Sequence, residues 1–165
     1  MGIRGILSTV NFRSGISDDL VSAVDMVRKF TKEVGTSEDL AMLDTEHFSK
    51  MFETLILSPA GFVWIAANTE DTPVGMLLGM CTSSVFSKTI AAEEILWWVE
   101  PSYRGQSSLM LKEFEIWARA CNASTVVVAG FDNMQRFYER SGYTKRSAHY
   151  SKFLNKLTIE GTLCH

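Results

Sequence analysis

Residues 94–108 read EILWWVEPSYRGQSS, and this stretch decides the fold. The apolar run Ile95, Leu96, Trp97, Trp98, Val99 has the length and the bulky side chains of a strand, and Pro101 stops it. A Pro-Ser-Tyr-Arg-Gly turn follows, and from Gly105 the pattern switches to a helix whose buried face is Leu111, Phe114, Ala118 and Cys121, with Trp117 beside them. The first turn of a helix carries unpaired backbone N–H groups and about half a positive charge, so a strand that turns directly into a helix through small residues is suited to hold an anion. Gly105, Ser107 and Ser108 let backbone approach a phosphate closely, Gln106 lies between them, and Arg104 either adds charge or fixes the turn. The same pattern also suits an ordinary strand-to-helix turn with an exposed arginine.

Working outward, 125–129 (TVVVA) is a continuous apolar run expected to be a central, buried strand. Asp132 then opens a helix with Gln135 as its capping partner; Met134, Phe137 and Tyr138 line one side, and Gly142 ends it. Residues 143–154 read as one or two closing strands. Upstream, 62–67 and 74–81 form a hairpin about the TEDTP turn at 69–73, and 92–99 is the next strand. Earlier still, 2–10 reads as a first strand. Ser17 caps a helix that carries Asp18 and Asp19 in its first turn, an Ile16–Val21 staple and a stripe of Leu20, Val24, Val27 and Val34, with Gly35 as its stop. After the polar stretch 36–44, Phe48, Met51, Phe52, Leu55 and Ile56 mark a second helix that starts near Thr45 and ends before Pro59 and Gly61. The expected order is β-α-α-β-β-β-α-β-α-β-β: an α/β chain of the α+β kind, with one mixed sheet and helices on its faces.

The length of 165 residues fits a single domain spanning 1–165, and with 46% hydrophobic and 21% charged residues a core of normal size needs no metal or disulfide staple. A net charge of −3 weighs against a chain built to grip nucleic acid. Lys145, Arg146, Lys152 and Lys156 give the closing strands a basic, solvated edge. The cysteines at 81, 121 and 164 are odd in number and match no metal or redox spacing, which points to a reduced, cytoplasmic protein with two half-buried thiols and one in the tail. His47, His149 and His165 lack ligand-like spacing, so no metal is expected. No apolar run approaches the roughly 20 residues of a membrane span, and the segment around Arg4 does not read as a signal peptide.

Val99, Pro101, Tyr103, Arg104 and Gly105, followed by Asn133, Phe137, Tyr138, Gly142 and Tyr143 (NMQRFYERSGY), resemble the two signatures of the GNAT superfamily of N-acetyltransferases, in the right order and with a strand between them. The similarity is firm over 92–154 and topological before that, and the 94–99 strand is most similar to versions from bacteriophage genomes. Ser107 and Ser108 stand where the family has glycines, in a shorter loop.

The resemblance implies a mixed-sheet acyltransferase fold in which acetyl-CoA lies between parted strands 95–99 and 125–129. Arg104, Gly105, Gln106, Ser107 and Ser108 would hold the diphosphate, and Asn133 would bond the CoA arm. A backbone N–H near Trp98 or Val99 would polarise the thioester carbonyl. It implies direct attack by a primary amine of a small molecule or protein, with Glu94 as base and Tyr138 as acid to the leaving thiolate. Glu93 competes with Glu94, because neighbouring strand residues face opposite sides; for the same reason at most one of Trp97 and Trp98 faces the acceptor. The acceptor pocket would involve the first two helices, the 36–44 loop and the closing strands. A non-catalytic acyl-CoA-binding or interaction module on the same fold is the alternative, a nucleic-acid-modifying enzyme is a more distant one, and a homodimer is left open.

Overall fold

The structure, a computed structural model, describes residues 9–84, 87–130, 132–146 and 152. These divide into two units between Ala129 and Gly130.

In the first unit, strand β1 (Asn11–Ser14) precedes helices α1 (Leu20–Val34), α2 (Ser37–Met42) and α3 (Thr45–Leu57). Strands β2 (Gly61–Ala67), β3 (Pro73–Ser83) and β4 (Ile90–Val99) follow, then helix α4 (Ser108–Ala120) and strand β5 (Ala123–Val127). They form one five-stranded sheet in chain order, antiparallel from β1 to β4 and parallel between β4 and β5. The mixed sheet is the architecture expected from a hairpin meander followed by a β-α-β unit.

Sequence alternation sorts the strands onto two faces. Val63, Ile65, Met76, Leu78, Leu96 and Trp98 pack with Met26, Val27, Phe48, Phe52 and Leu55 of α1 and α3. On the other face Phe62 meets Phe114 and Trp117 of α4, at ring distances of 5.2 and 5.0 Å. The β2–β3 turn is closed by Asn68, whose Oδ1 accepts the N–H of Glu70 and of Thr72, while Asp71 takes φ 59°.

Several local expectations are corrected. Among the described residues the first strand begins at Asn11, with Thr9 and Val10 before it, and residues 2–8 of the strand read over 2–10 lie outside the described residues. Ser17 does not cap α1, because a 3-10 turn over Ser17–Asp19 comes first. Ile16 and Val21 are 51% and 83% exposed, so no hydrophobic staple forms. The chain is instead fastened by buried Asp19, which accepts Arg13 Nη1 at 2.7 Å, Arg13 Nη2 at 2.8 Å and the Ile16 N–H at 2.9 Å. A charge-assisted pair of this kind fixes geometry more tightly than two aliphatic side chains. Of the stripe read on α1, Val27 is buried and Leu20 and Val24 pack half-buried against the core, joined by Ala23, Met26 and Thr31, whereas Val34 is exposed.

Helix α2 was hidden in the polar stretch 36–44. Its capping box pairs the Asp39 N–H with Thr36 Oγ1 and the Thr36 N–H with the Asp39 carboxylate. Strand β5 borders only β4, and Thr125 and Val127 are exposed, so the apolar run does not mark a doubly covered strand among the described residues.

In the second unit a 3-10 turn over Asp132–Met134 leads into α5 (Gln135–Arg140). The Gln135 amide donates to Glu139 Oε1 at 2.7 Å. Gly142 at φ 88° ends the helix as read, with the Tyr143 N–H on the Tyr138 carbonyl, a 6→1 closure that a left-handed glycine permits. Tyr143 to Arg146 carry no strand, and the rest of 143–154, apart from Lys152, lies outside the described residues.

The β3–β4 ladder has one irregularity. Leu78 faces Leu96 and Gly79 faces Glu94, which leaves Ile95 as an extra residue. A Cβ on Gly79 would stand 2.4 Å from Phe114 Cε2 and 3.1 Å from the Glu93 carbonyl, and the Phe114 ring is fully buried. Gly79→Ala should therefore lower stability by about 1–3 kcal/mol in urea denaturation, the cost of overpacking a rigid core. An unchanged midpoint would show that the ring has room to move.

Candidate active site

The Ile95 bulge sets where the acidic side chains point. In an unbroken strand Glu94 would share the face of Leu96 and Trp98 and stand opposite Met80, which is 39% exposed. The extra residue reverses the alternation, so Glu94 sits opposite Gly79 on the α4 face and Glu93 opposite Met80 on the other. Glu93 is exposed and accepts the Thr82 hydroxyl at 3.1 Å. Glu94 is half-buried, and its Oε2 accepts the Ala129 N–H at 3.0 Å. Desolvation pushes the Glu94 carboxyl up to about 7, more than the Ala129 hydrogen bond pulls it down. A carboxyl that titrates near neutrality can both take and release a proton at physiological pH. Of the two candidates for a base, only Glu94 has this environment.

The bond from Glu94 to Ala129 lies where the two parallel strands part. The β4–β5 register runs from Ile90↔Ala123 to Glu93↔Val127 and stops there, while β4 stays paired to β3 as far as Val99. Among the described residues no strand covers the Ile95–Val99 edge of β4 on the β5 side. The Glu100 N–H donates to the Val74 carbonyl at 2.8 Å. By the alternation of an antiparallel ladder, Trp98 then also pairs toward β3, and Trp97 and Val99 direct their backbone groups to the open edge. Of the two N–H groups considered for the carbonyl, the Val99 amide is thus the better placed. Trp98 is 5% exposed and packs its indole into the α1/α3 core, whereas Trp97 is half-buried.

The turn after β4 is a 3-10 helix over Pro101–Gln106 that runs into α4 with no side-chain cap at Ser107. Pro101 presets φ for it, and the Tyr103 N–H closes on the Glu100 carbonyl. The Ser107 N–H and hydroxyl both donate to the Arg104 carbonyl, at 3.1 and 2.8 Å. Gly105 is exposed, and Gln106, Ser107 and Ser108 are half-buried along the mouth of α4. Arg104 is turned inward: its Nε donates to the Val99 carbonyl at 2.8 Å and its Nη2 to Glu33 Oε2 at 2.6 Å. Of the two roles read for it, these contacts serve the shape of the turn.

Asn133 and Tyr138 belong to the second unit. Asn133 is exposed; Tyr138 is buried, with Phe137 and Tyr143 at ring distances of 5.4 and 5.8 Å. Sequence reasoning missed Glu33, which no motif marks, and the bulge at Ile95; the paired Glu93-Glu94 ahead of an apolar run was its only trace.

The model of the Acetyltransferase (GNAT) family matches residues 26–143, and the chain belongs to this family of acetyltransferase enzymes. Solved structures agree on the fold at low identity. The GCN5-related N-acetyltransferase of Ralstonia eutropha is 15% identical with a TM-score of 0.74, covering 89% of this chain and 100% of that one. A predicted acetyltransferase of Clostridium acetobutylicum, solved with acetyl-CoA, is 15% identical with a TM-score of 0.70, covering 88% and 97%. The aminoglycoside 6'-N-acetyltransferase of Acinetobacter baumannii is 16% identical with a TM-score of 0.66, covering 89% and 100%. No curated protein sequence matches the chain. Among the described residues no helix is long and apolar enough to cross a membrane.

The raised Glu94 carboxyl has a consequence for stability. Below its ordinary value of 4.5 the group is neutral in folded and unfolded chains alike. As pH rises from there to about 7 the unfolded chain ionises first, so stability is lost across that interval. Glu94→Gln removes this penalty while keeping an acceptor for the Ala129 N–H. The variant should be more stable than the parent by on the order of 1–2 kcal/mol at about pH 8.5, discounted for partial exposure, with the gain vanishing near pH 4.5. Urea melts at the two pH values check this; equal gains at both would show that burial of the charge is not the cause.

Proposed function

We propose that the chain binds acetyl-CoA along the open edge of β4 and moves its acetyl group to a primary amine of a small molecule or protein. The observation that carries this reading is the parting of β4 from β5 after Glu93 and Val127, beside a half-buried carboxyl near pH 7. An extended pantetheine arm has the amide groups to pair along a strand edge, as an added strand would. Gly105, Gln106 and Ser108 at the mouth of α4 suit a diphosphate, while Ser107 spends its N–H and hydroxyl on the Arg104 carbonyl, with Arg104 shaping the turn and Asn133 bonding the CoA arm.

In the reaction, the neutral amine nitrogen attacks the thioester carbonyl carbon and its π electrons move to oxygen, where the Val99 N–H stabilises the charge. Glu94 takes the ammonium proton, directly or through water. The tetrahedral intermediate collapses, the carbon–sulfur bond breaks, and Tyr138 protonates the leaving thiolate; this role for Tyr138 rests on the family resemblance of its motif. The proposal treats 1–165 as one working domain.

Thermal melts with acetyl-CoA, followed by a free-thiol release assay over an amine panel, test the reading. Amino sugars and aminoglycosides belong first in that panel, because structural neighbours carry a glucosamine-6-phosphate N-acetyltransferase and an aminoglycoside 6'-N-acetyltransferase among them. Acetyl-CoA should raise the melting temperature, and thiol should appear only with an acceptor. With a productive acceptor, kcat/KM should climb about tenfold per pH unit up to about 7, and Glu94→Gln should lower it about 10²–10⁴-fold and flatten the climb. Tyr138→Phe should cut turnover while acetyl-CoA affinity stays within about twofold. Binding of acetyl-CoA with no thiol release from any amine class would contradict the proposal.

A further inference from the structure

One carboxylate ties α1 to both sides of the open strand edge. Glu33, one residue before the end of α1, accepts the Trp98 indole N–H at 2.8 Å and Arg104 Nη2 at 2.6 Å on the same oxygen, Oε2. Arg104 in turn caps the Val99 carbonyl through Nε at 2.8 Å. Lys29, one helical turn earlier, pairs with Glu100 and Asp25 and lies 5.8 Å over the Trp98 ring. The end of α1 is thereby fastened to the last two residues of β4 and to the turn that follows.

We infer that Glu33 is a positioning residue for acetyl-CoA, acting through Arg104 to hold the 3-10 turn and the Val99 carbonyl in a binding-ready arrangement; this rests on the function proposed above. Three observations support it. First, Glu33 and Arg104 are 40% and 42% exposed, and exposed pairs contribute little to stability, so the geometry of the contact is the better reason for it. Second, the pair is charge-assisted and short, and the Arg104 guanidinium, ahead of the Trp98 indole, holds the Glu33 carboxyl below its usual range. Third, with the Arg104 fork held on one side by Val99 and on the other by Glu33, the turn has one defined direction, in which Gly105 to Ser108 meet the mouth of α4. Without Glu33 the guanidinium is released to solvent, and the turn must be ordered when the ligand binds, which lowers affinity.

The test is calorimetric titration of the full chain with acetyl-CoA, well below the melting temperature, for the parent, Glu33→Ala, Glu33→Gln, Arg104→Ala and the Glu33→Ala/Arg104→Ala pair. Glu33→Ala should weaken binding about tenfold, Glu33→Gln should recover part of the loss through its amide oxygen, and the double variant should be no weaker than Arg104→Ala alone, because the two residues act as one unit. A purely structural role would move the melting temperature but not this order of affinities. If the parent binds and Glu33→Ala binds equally or more tightly, Glu33 merely competes with phosphate for Arg104 and the inference is overturned. If the parent itself does not bind acetyl-CoA, the proposed function beneath it fails. Should Glu33→Ala not fold, the parent against Glu33→Gln decides alone, with an unchanged affinity again counting against the role.

Discussion

A β-strand that keeps one neighbour and loses the other must find partners for the backbone groups on its freed edge, because unpaired N–H and C=O groups are costly to bury. Among the described residues no second strand borders β4 from Ile95 to Val99. The rest of the first unit can be read as the means of keeping that edge open without losing the strand. β3 holds it on one side by a ladder broken only at the Ile95 bulge, the α1 and α3 side chains hold Leu96 and Trp98 from one face, and Glu94 closes the apex by taking the Ala129 N–H. At the far end Arg104 caps the Val99 carbonyl and Pro101 turns the chain into α4.

The bulge at Ile95 links this geometry to chemistry. It places a carboxyl on the α4 face at the point where the strands separate, and partial burial there brings its titration to about pH 7. In an unbroken strand the same residue would stand opposite half-exposed Met80, where Glu93 now faces solvent. Membership of the acetyltransferase family gives the chemistry such a carboxyl would serve, and the low identities to solved relatives leave the acceptor to be found by assay.

What the sequence made legible follows from the range of the forces involved. The helix at Thr45 and the strands at 61–67, 73–83 and 90–99 were readable because apolar period is a local property, and the Gly142 stop because a left-handed residue at a helix end has few alternatives to glycine. The entry to α1 was misread because an Arg13 pair with buried Asp19 replaced the apolar staple, and a salt link between a strand and the 3-10 turn leaves no periodic mark. α2 was missed because none of its residues is buried and its only signal is the Thr36–Asp39 box. In the site, Glu94 and the turn were visible as residue types in order, but the bulge that orients Glu94 is a two-strand property. Glu33 was invisible for the same reason, since its partners lie 65 and 71 positions away.

The claim at the centre of this account is that the freed edge of β4 and the mouth of α4 are where the thioester and diphosphate lie. Residue-resolved amide hydrogen exchange with and without saturating acetyl-CoA measures it directly. The account predicts slower exchange at Val99 and across Gly105, Gln106 and Ser108 on binding, with the β2–β3 ladder unchanged. Tight binding that leaves those amides exchanging at their original rates, and protects a different surface, would contradict it.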